Sequence, residues 1–182
     1  MKSARTMLLS AMIALTLPML LAAQESGPAS GTALRRELLA HFNMSMQKFI
    51  VLAEAMPAES YSWRPEKDAM QVARVYAHVA NYNYHYLASS MGVAAPADIN
   101  LDTLEAIQDK AQIVQLLRRS ADHVRRAVAD MPASQLEKNT KLYGREVPQW
   151  AVLMQLVAHM NEHLGQSIAY ARSNNVVPPW SR

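Results

Sequence analysis

The chain of 182 residues contains no cysteine. That absence excludes disulfides, thiolate metal ligands and a cysteine nucleophile, and it suits an exported protein that avoids disulfide chemistry. A clustered basic face is lacking too. The pairs Arg118-Arg119 and Arg125-Arg126 fall on an expected helix surface, so nucleic-acid binding is not indicated. No stretch of useful length alternates apolar and polar residues, which argues against a sheet-built fold. What remains is ordinary in composition, with a hydrophobic share of 51% and an aromatic share of 7%, and fits one globular all-α domain.

An apolar run long enough to span a membrane is also missing. The segment Met7 to Ala23, interrupted by Ser10, Thr16 and Pro18, falls short of the roughly 20 residues that a span needs. Lys2 and Arg5 precede it, small residues Ala22 and Ala23 close it, and polar Gln24-Glu25-Ser26-Gly27 follows. This order of charge, apolar core and small residues reads as a secretory signal peptide over residues 1–23, giving a periplasmic or extracellular protein. Leu21 at the usual minus-three position leaves an uncleaved N-terminal anchor as the alternative. The lack of a following cysteine argues against a lipoprotein. Taking Lys2 and Arg5 from the 18 basic residues leaves 16 against 15 acidic ones, so the basic isoelectric point says little about partners.

Residues 24–31, with Ser26, Gly27, Pro28, Ser30 and Gly31, read as a linker, and residues 32–182 as the folded domain. Thr32 is placed to cap a first helix from Ala33 to Met56, in which Leu34, Leu38, Phe42, Phe49, Leu52 and Met56 recur at helical spacing. Pro57 to Lys67 is an ordered loop whose Trp63 should cover a bundle end. Asp68 is a suitable N-cap for a second helix running to Met91, stopped by Gly92 and Pro96. Its buried stripe is Val75, Val79, Tyr82 and Tyr86, with His78 at the edge. A third helix is expected from Asp102 or Thr103 to Met131, carrying Leu104, Ile107, Ala111, Val114, Leu117, Val124 and Val128. Pro148 suits the start of a fourth, continuing to about Arg172, and the tail through Pro178, Pro179 and Trp180 should be extended. Met56-Pro57-Ala58 and Met131-Pro132-Ala133 echo one another at two helix ends, as two related halves of a four-helix bundle would.

The fourth helix carries the chemistry. His159 and His163 are four apart, just over one turn, so their rings stack on one side and can converge on one ion at roughly 2.0–2.1 Å. The stripe holding them is Val152, Leu156, His159, His163, Gln166 and Tyr170, which is largely apolar and should face inward. Buried imidazoles need partners, and two adjacent ones most simply share a metal. A third ligand must come from elsewhere. The second helix offers His78 and His85, about 10 Å apart along its axis, and spacing alone does not choose between them. His41 and His123 read as surface residues. Glu162, about 60° around the helix from His159, is a weak candidate for a general base and otherwise an exposed residue. It is not the glutamate of the H-E-x-x-H motif, which directly follows the first histidine. Gln166, Tyr170 and Tyr82 are candidates to orient a ligand or a substrate, though each tyrosine serves equally well as a core ring with a satisfied hydroxyl.

A histidine early in the second helix followed by H-x3-H late in the fourth resembles the DinB/YfiT family of metal-dependent bundle proteins. Arg74-Val75-Tyr76-Ala77-His78-Val79-Ala80 resembles its helix-two motif, and His159 to Arg172 continuing to Val177-Pro178-Pro179-Trp180 resembles an exported branch. The resemblance selects His78 over His85. It implies an up-down-down-up bundle with a divalent ion, zinc or nickel, on His78, His159 and His163. It also implies chemistry on a small molecule, since characterised members include thiol-dependent transferases and isomerases.

Three neutral imidazoles leave an ion its full charge and an open position, the pattern of a catalytic rather than a closed structural site. Two functions follow as expectations: a hydrolase or thiol-transferase-like enzyme acting on a small molecule, or a non-catalytic exported module in which metal or ligand is merely held. Export sits poorly with the transferase version, whose thiol cofactors are cytosolic. A homodimer through helix faces is compatible with either.

Overall fold

The computed structural model describes residues 28–181. The expected signal peptide and the first four linker residues lie outside the described residues. Four long helices carry the fold: α1 (Pro28–Ala55), α2 (Val72–Met91), α3 (Lys110–Ala129) and α5 (Gln149–Ser173). A four-residue helix α4 (Ala133–Leu136) and a hairpin of β1 (Asn139–Leu142) and β2 (Arg145–Pro148) lie between α3 and α5. Among the described residues no helix is long and apolar enough to cross a membrane.

Each helix packs against two neighbours: α1 and α2 each touch both α3 and α5. Side-chain partners give the directions. Lys110 at the start of α3 donates to the carbonyls of Glu54 and Met56 at the end of α1, while Arg125 further along α3 reaches Asn43, so α1 and α3 are antiparallel. Asn83 meets Ser120 and Tyr84 meets His123, so α2 runs parallel to α3. His78 meets His163 and Tyr86 meets His159, so α2 and α5 are antiparallel. The topology is therefore up-down-down-up. Phe42, Met46 and Phe49 of α1, Tyr76 of α2, Leu117 of α3 and Met160 of α5 are fully buried together between the helices. Each such aliphatic or aromatic side chain contributes about 1.5–3 kcal/mol by leaving water.

The helix boundaries depart from the periodicity in instructive places. Pro28 to Gly31, expected as linker, already belong to α1. A proline is tolerated there because first-turn N–H groups have no acceptor within the helix. Asp68 does not cap α2. The helix starts at Val72, whose N–H finds the Trp63 carbonyl at 2.9 Å, closing residues 63–72 into a loop instead. Nor does α3 start at Asp102 or Thr103. The Asn100 side chain accepts from the Asp102 N–H at 3.0 Å, Leu104–Ala106 forms a single 3-10 turn, and Asp109 caps α3 by accepting from the Gln112 N–H at 2.8 Å. Leu104 is buried as expected but outside the helix, and Ala111 is exposed.

The Met-Pro-Ala echo is structural. Pro57 precedes a 3-10 turn at Ala58–Ser62, and Pro132 precedes α4. The hairpin was not legible in the pattern. It turns on Tyr143 and Gly144, both with positive φ (50° and 77°), the two-residue turn that matches strand twist. The tail, expected to be extended, closes with a 3-10 turn at Pro179–Ser181 that lays Trp180 near the Lys48 ammonium. Trp63 packs edge-on against Tyr170.

Candidate metal centre

His78 projects from α2 and His159 and His163 from α5, and the antiparallel register of the two helices brings the three rings together. Their centroids lie 5.0 Å (78–159), 4.8 Å (78–163) and 4.6 Å (159–163) apart. One nitrogen from each forms a set lying within 4.8 Å of one another. His78 Nε2 and His159 Nε2 are 3.1 Å apart. Two nitrogens sharing a tetrahedral ion at 2.0–2.1 Å stand about 3.4 Å apart, so the pair is close to that spacing.

The surrounding hydrogen bonds favour ligation. His78 Nδ1 contacts Glu105 Oε1 at 2.7 Å. A carboxylate only accepts, so Nδ1 of the neutral ring carries the proton and Nε2 is left with its lone pair. Likewise the Gln166 carbonyl oxygen lies 2.8 Å from His163 Nδ1, and its amide donates to the Tyr170 hydroxyl at 3.0 Å. Two of the three rings thus present an unprotonated Nε2, held by the kind of carboxylate or carbonyl partner that metal-binding histidines use. Arg74 Nε donates to the other Glu105 oxygen at 3.0 Å.

Burial disfavours the charged form of His159 and His78. His159 is pushed down to about 4, chiefly by burial and then by the neighbouring His163 and His78. Burial also lowers His78, with the Glu105 hydrogen bond opposing it in part. Glu105 sits below its usual range: burial would raise it, but the bonds from His78 and Arg74 prevail. His78 and His159 are therefore held in the neutral form that ligation requires.

The other expected residues divide clearly. Tyr82 lies against both His78 and His159, at 4.4 and 4.6 Å between centroids. Tyr86, its hydroxyl bonded to Tyr143, packs edge-on to His159. Gln166 and Tyr170 form the chain behind His163. His85 is exposed, and so are Glu162 and His41. His123 is not a surface residue. It is half-buried against Tyr84, and its Nε2 and the Tyr84 hydroxyl are buried without a hydrogen-bond partner. Glu105 was missed in the sequence because it was assigned to a helix that begins later. The signal available was Arg74, one turn before His78 on the same face, whose charge asks for a carboxylate nearby.

A family model for the DinB superfamily matches residues 41–170. The chain belongs to the DinB superfamily. The match takes in α2, α3 and all three histidines, His78 of α2 and His159 and His163 of α5, so the DinB bundle and the candidate centre are one unit. Among solved structures, a DinB-like protein from Bacillus cereus aligns with a TM-score of 0.69 at 18% identity, covering 78% of this chain and 93% of that one. At that identity the likeness concerns the fold. Comparison with curated proteins gave no match.

Proposed function

We propose that this DinB protein holds a divalent metal ion, zinc or nickel, on His78, His159 and His163, and uses it on a small molecule in a hydrolase or thiol-transfer type of reaction. The observation that carries the proposal is the convergence of three imidazoles, two of them with Nε2 cleared of protons by Glu105 and Gln166. A divalent ion with an open position would supply Lewis acidity and draw the pKa of a bound water or thiol toward neutrality. The chain does the rest. Glu105 and Gln166 fix the orientation of two ligand rings, and Tyr82 walls the centre on one side. Gln166 and Tyr170 offer polar groups beside His163 that could orient a substrate. Glu162, the general-base candidate of the sequence, is exposed.

Antiparallel α2 and α5 contribute the ligands from two helices, which also supports the second reading, a non-catalytic module fastened by metal. The N-terminal residues 1–23 support export of either version. Mass spectrometry of the processed chain tests this: a start at Gln24 is expected, and an intact Met1 would favour the anchor.

The decisive experiment on the centre is elemental analysis of residues 24–182 after incubation with zinc or nickel, beside His78→Ala, His163→Ala and His85→Ala. About one ion per chain is expected, lost in the first two variants and kept in the third. No ion in the parent would overturn the proposal.

A further inference from the structure

We propose that Glu105, held by Arg74, is a positioning residue of the three-histidine centre and sets how tightly that centre holds a divalent cation. The proposal rests on the metal reading above and adds a residue to it.

Three neutral imidazoles bring no negative charge to a doubly charged ion. Among the described residues, Glu105 is the carboxylate paired with a histidine. Its two oxygens have separate duties. Oε1 accepts from His78 Nδ1 at 2.7 Å, and Oε2 accepts from Arg74 Nε at 3.0 Å, which fixes the plane of the carboxylate and keeps Oε2 engaged away from the ligand nitrogens. An anion on the Nδ1–H makes the imidazole a stronger donor at Nε2 and locks the tautomer that ligation needs. Gln166 fixes His163 as a neutral amide from the same helix, so it orients without adding charge.

The position of Glu105 is itself anchored. It sits in the turn Leu104–Ala106, closed by Ile107 N–H to the Leu104 carbonyl at 3.2 Å and pinned by the buried Leu104 side chain. Just before it, Asn81 of α2 donates to the Leu101 carbonyl at 3.1 Å. The segment bearing Glu105 is therefore tied to the helix that bears His78, and ligand and orienting group are set in one frame. With side-chain exposures of 12% for His78 and 23% for Glu105, water competes little for their bond.

The test uses the chain from Gln24 onward as wild type, Glu105→Gln, Glu105→Asp and, as an exposed control, Glu137→Gln. Zinc affinity is measured by competition with a chromophoric chelator, and the His78 tautomer of the metal-free protein by long-range proton–nitrogen correlation. Glu105→Gln is expected to bind zinc about 10–100-fold more weakly. Glu105→Asp, which keeps the charge, should bind more tightly than Glu105→Gln, and Glu137→Gln should match wild type. His78 should carry its proton on Nδ1 in wild type. Zinc affinity of Glu105→Gln within about twofold of wild type, or a wild-type His78 protonated on Nε2, would overturn the proposal while leaving the three-histidine centre standing. Equal losses in both Glu105 variants would mark a packing role and overturn it as well. Wild-type protein that binds no zinc would instead overturn the metal reading and this proposal with it.

Discussion

Acidifying the metal-free protein puts a proton on His159 only by weakening the fold. The ring titrates at about 4 in the folded chain against an ordinary 6.5, because burial and the flanking His163 and His78 resist the charge. Between these two values the unfolded chain binds more protons than the folded one, so stability rises with pH across that window. The contribution is fully present above pH 6.5 and is lost as pH falls toward 4. At 1.36 kcal/mol per pH unit the gap amounts to about 3 kcal/mol. His159 is only half-buried, so solvent screens part of this, and about 1.5 kcal/mol is the working figure. Against a total stability of about 5–15 kcal/mol this is measurable. The assay is urea unfolding in the presence of a chelator at a series of pH values from above 6.5 down to near 4, comparing wild type with His159→Gln. Wild type should lose about 1.5 kcal/mol more than the variant over that range. Parallel profiles would refute the argument, because they would mean that the imidazole at position 159 is not held neutral by its surroundings.

Two further outcomes are expected. If a metal ties α2 to α5, loading at about 100 times the dissociation constant adds about 2.7 kcal/mol, which for a domain of this size raises Tm by about 5–10 °C. Calorimetry with and without chelator reads this, and His163→Ala should abolish the difference; an unchanged Tm in wild type would exclude a structural role for the ion. Asp109→Ala removes the side-chain cap from the Gln112 N–H and should cost about 1 kcal/mol in urea unfolding, whereas the rejected caps Asp68 and Asp102 should tolerate the same change within about 0.5 kcal/mol.

The bundle was legible because its long helices write their inward faces at regular spacing, and α5 shows why part of the site was legible too. His159 and His163 are one turn apart in the same helix, so their convergence follows from helix geometry alone. The third histidine of the cluster is a different kind of fact. His78 and His85 share a side of α2, and what separates them is the register of α2 against α5, which puts His78 beside His163 and leaves His85 exposed. Local periodicity holds no information about that register; the family resemblance did. The same limit explains His123, whose burial depends on Tyr84 of a neighbouring helix. The hairpin escaped for another reason. Its strands have four residues each, too short for alternation to stand out, and its turn places a bulky Tyr143 at a positive φ where Asn, Asp or Gly is usual.

Glu105 was hidden by the topology that also explains it. In an up-down-down-up bundle α2 and α3 run parallel, so the chain must return the length of a helix between them. α2 has 20 residues and spans about 30 Å, and the 18 residues from Gly92 to Asp109 make that return as irregular chain broken by one 3-10 turn at Leu104–Ala106. They run back along α2: Leu101 meets Asn81, and one turn nearer the start of the helix Glu105 meets His78 and Arg74. A return forced by connectivity thus passes His78 on α2 just before α3 begins. An irregular segment can present a carboxylate at the angle the Nδ1–H requires, and Arg74, four residues before His78 on the same helix face, donates to the second oxygen. An up-down-up-down bundle would join α2 to its neighbour by a short loop at the helix end and would have no segment at this place. The sequence between residues 92 and 109 therefore has two jobs, closing the parallel pair and orienting His78, and its lack of periodicity reflects the second as much as the first.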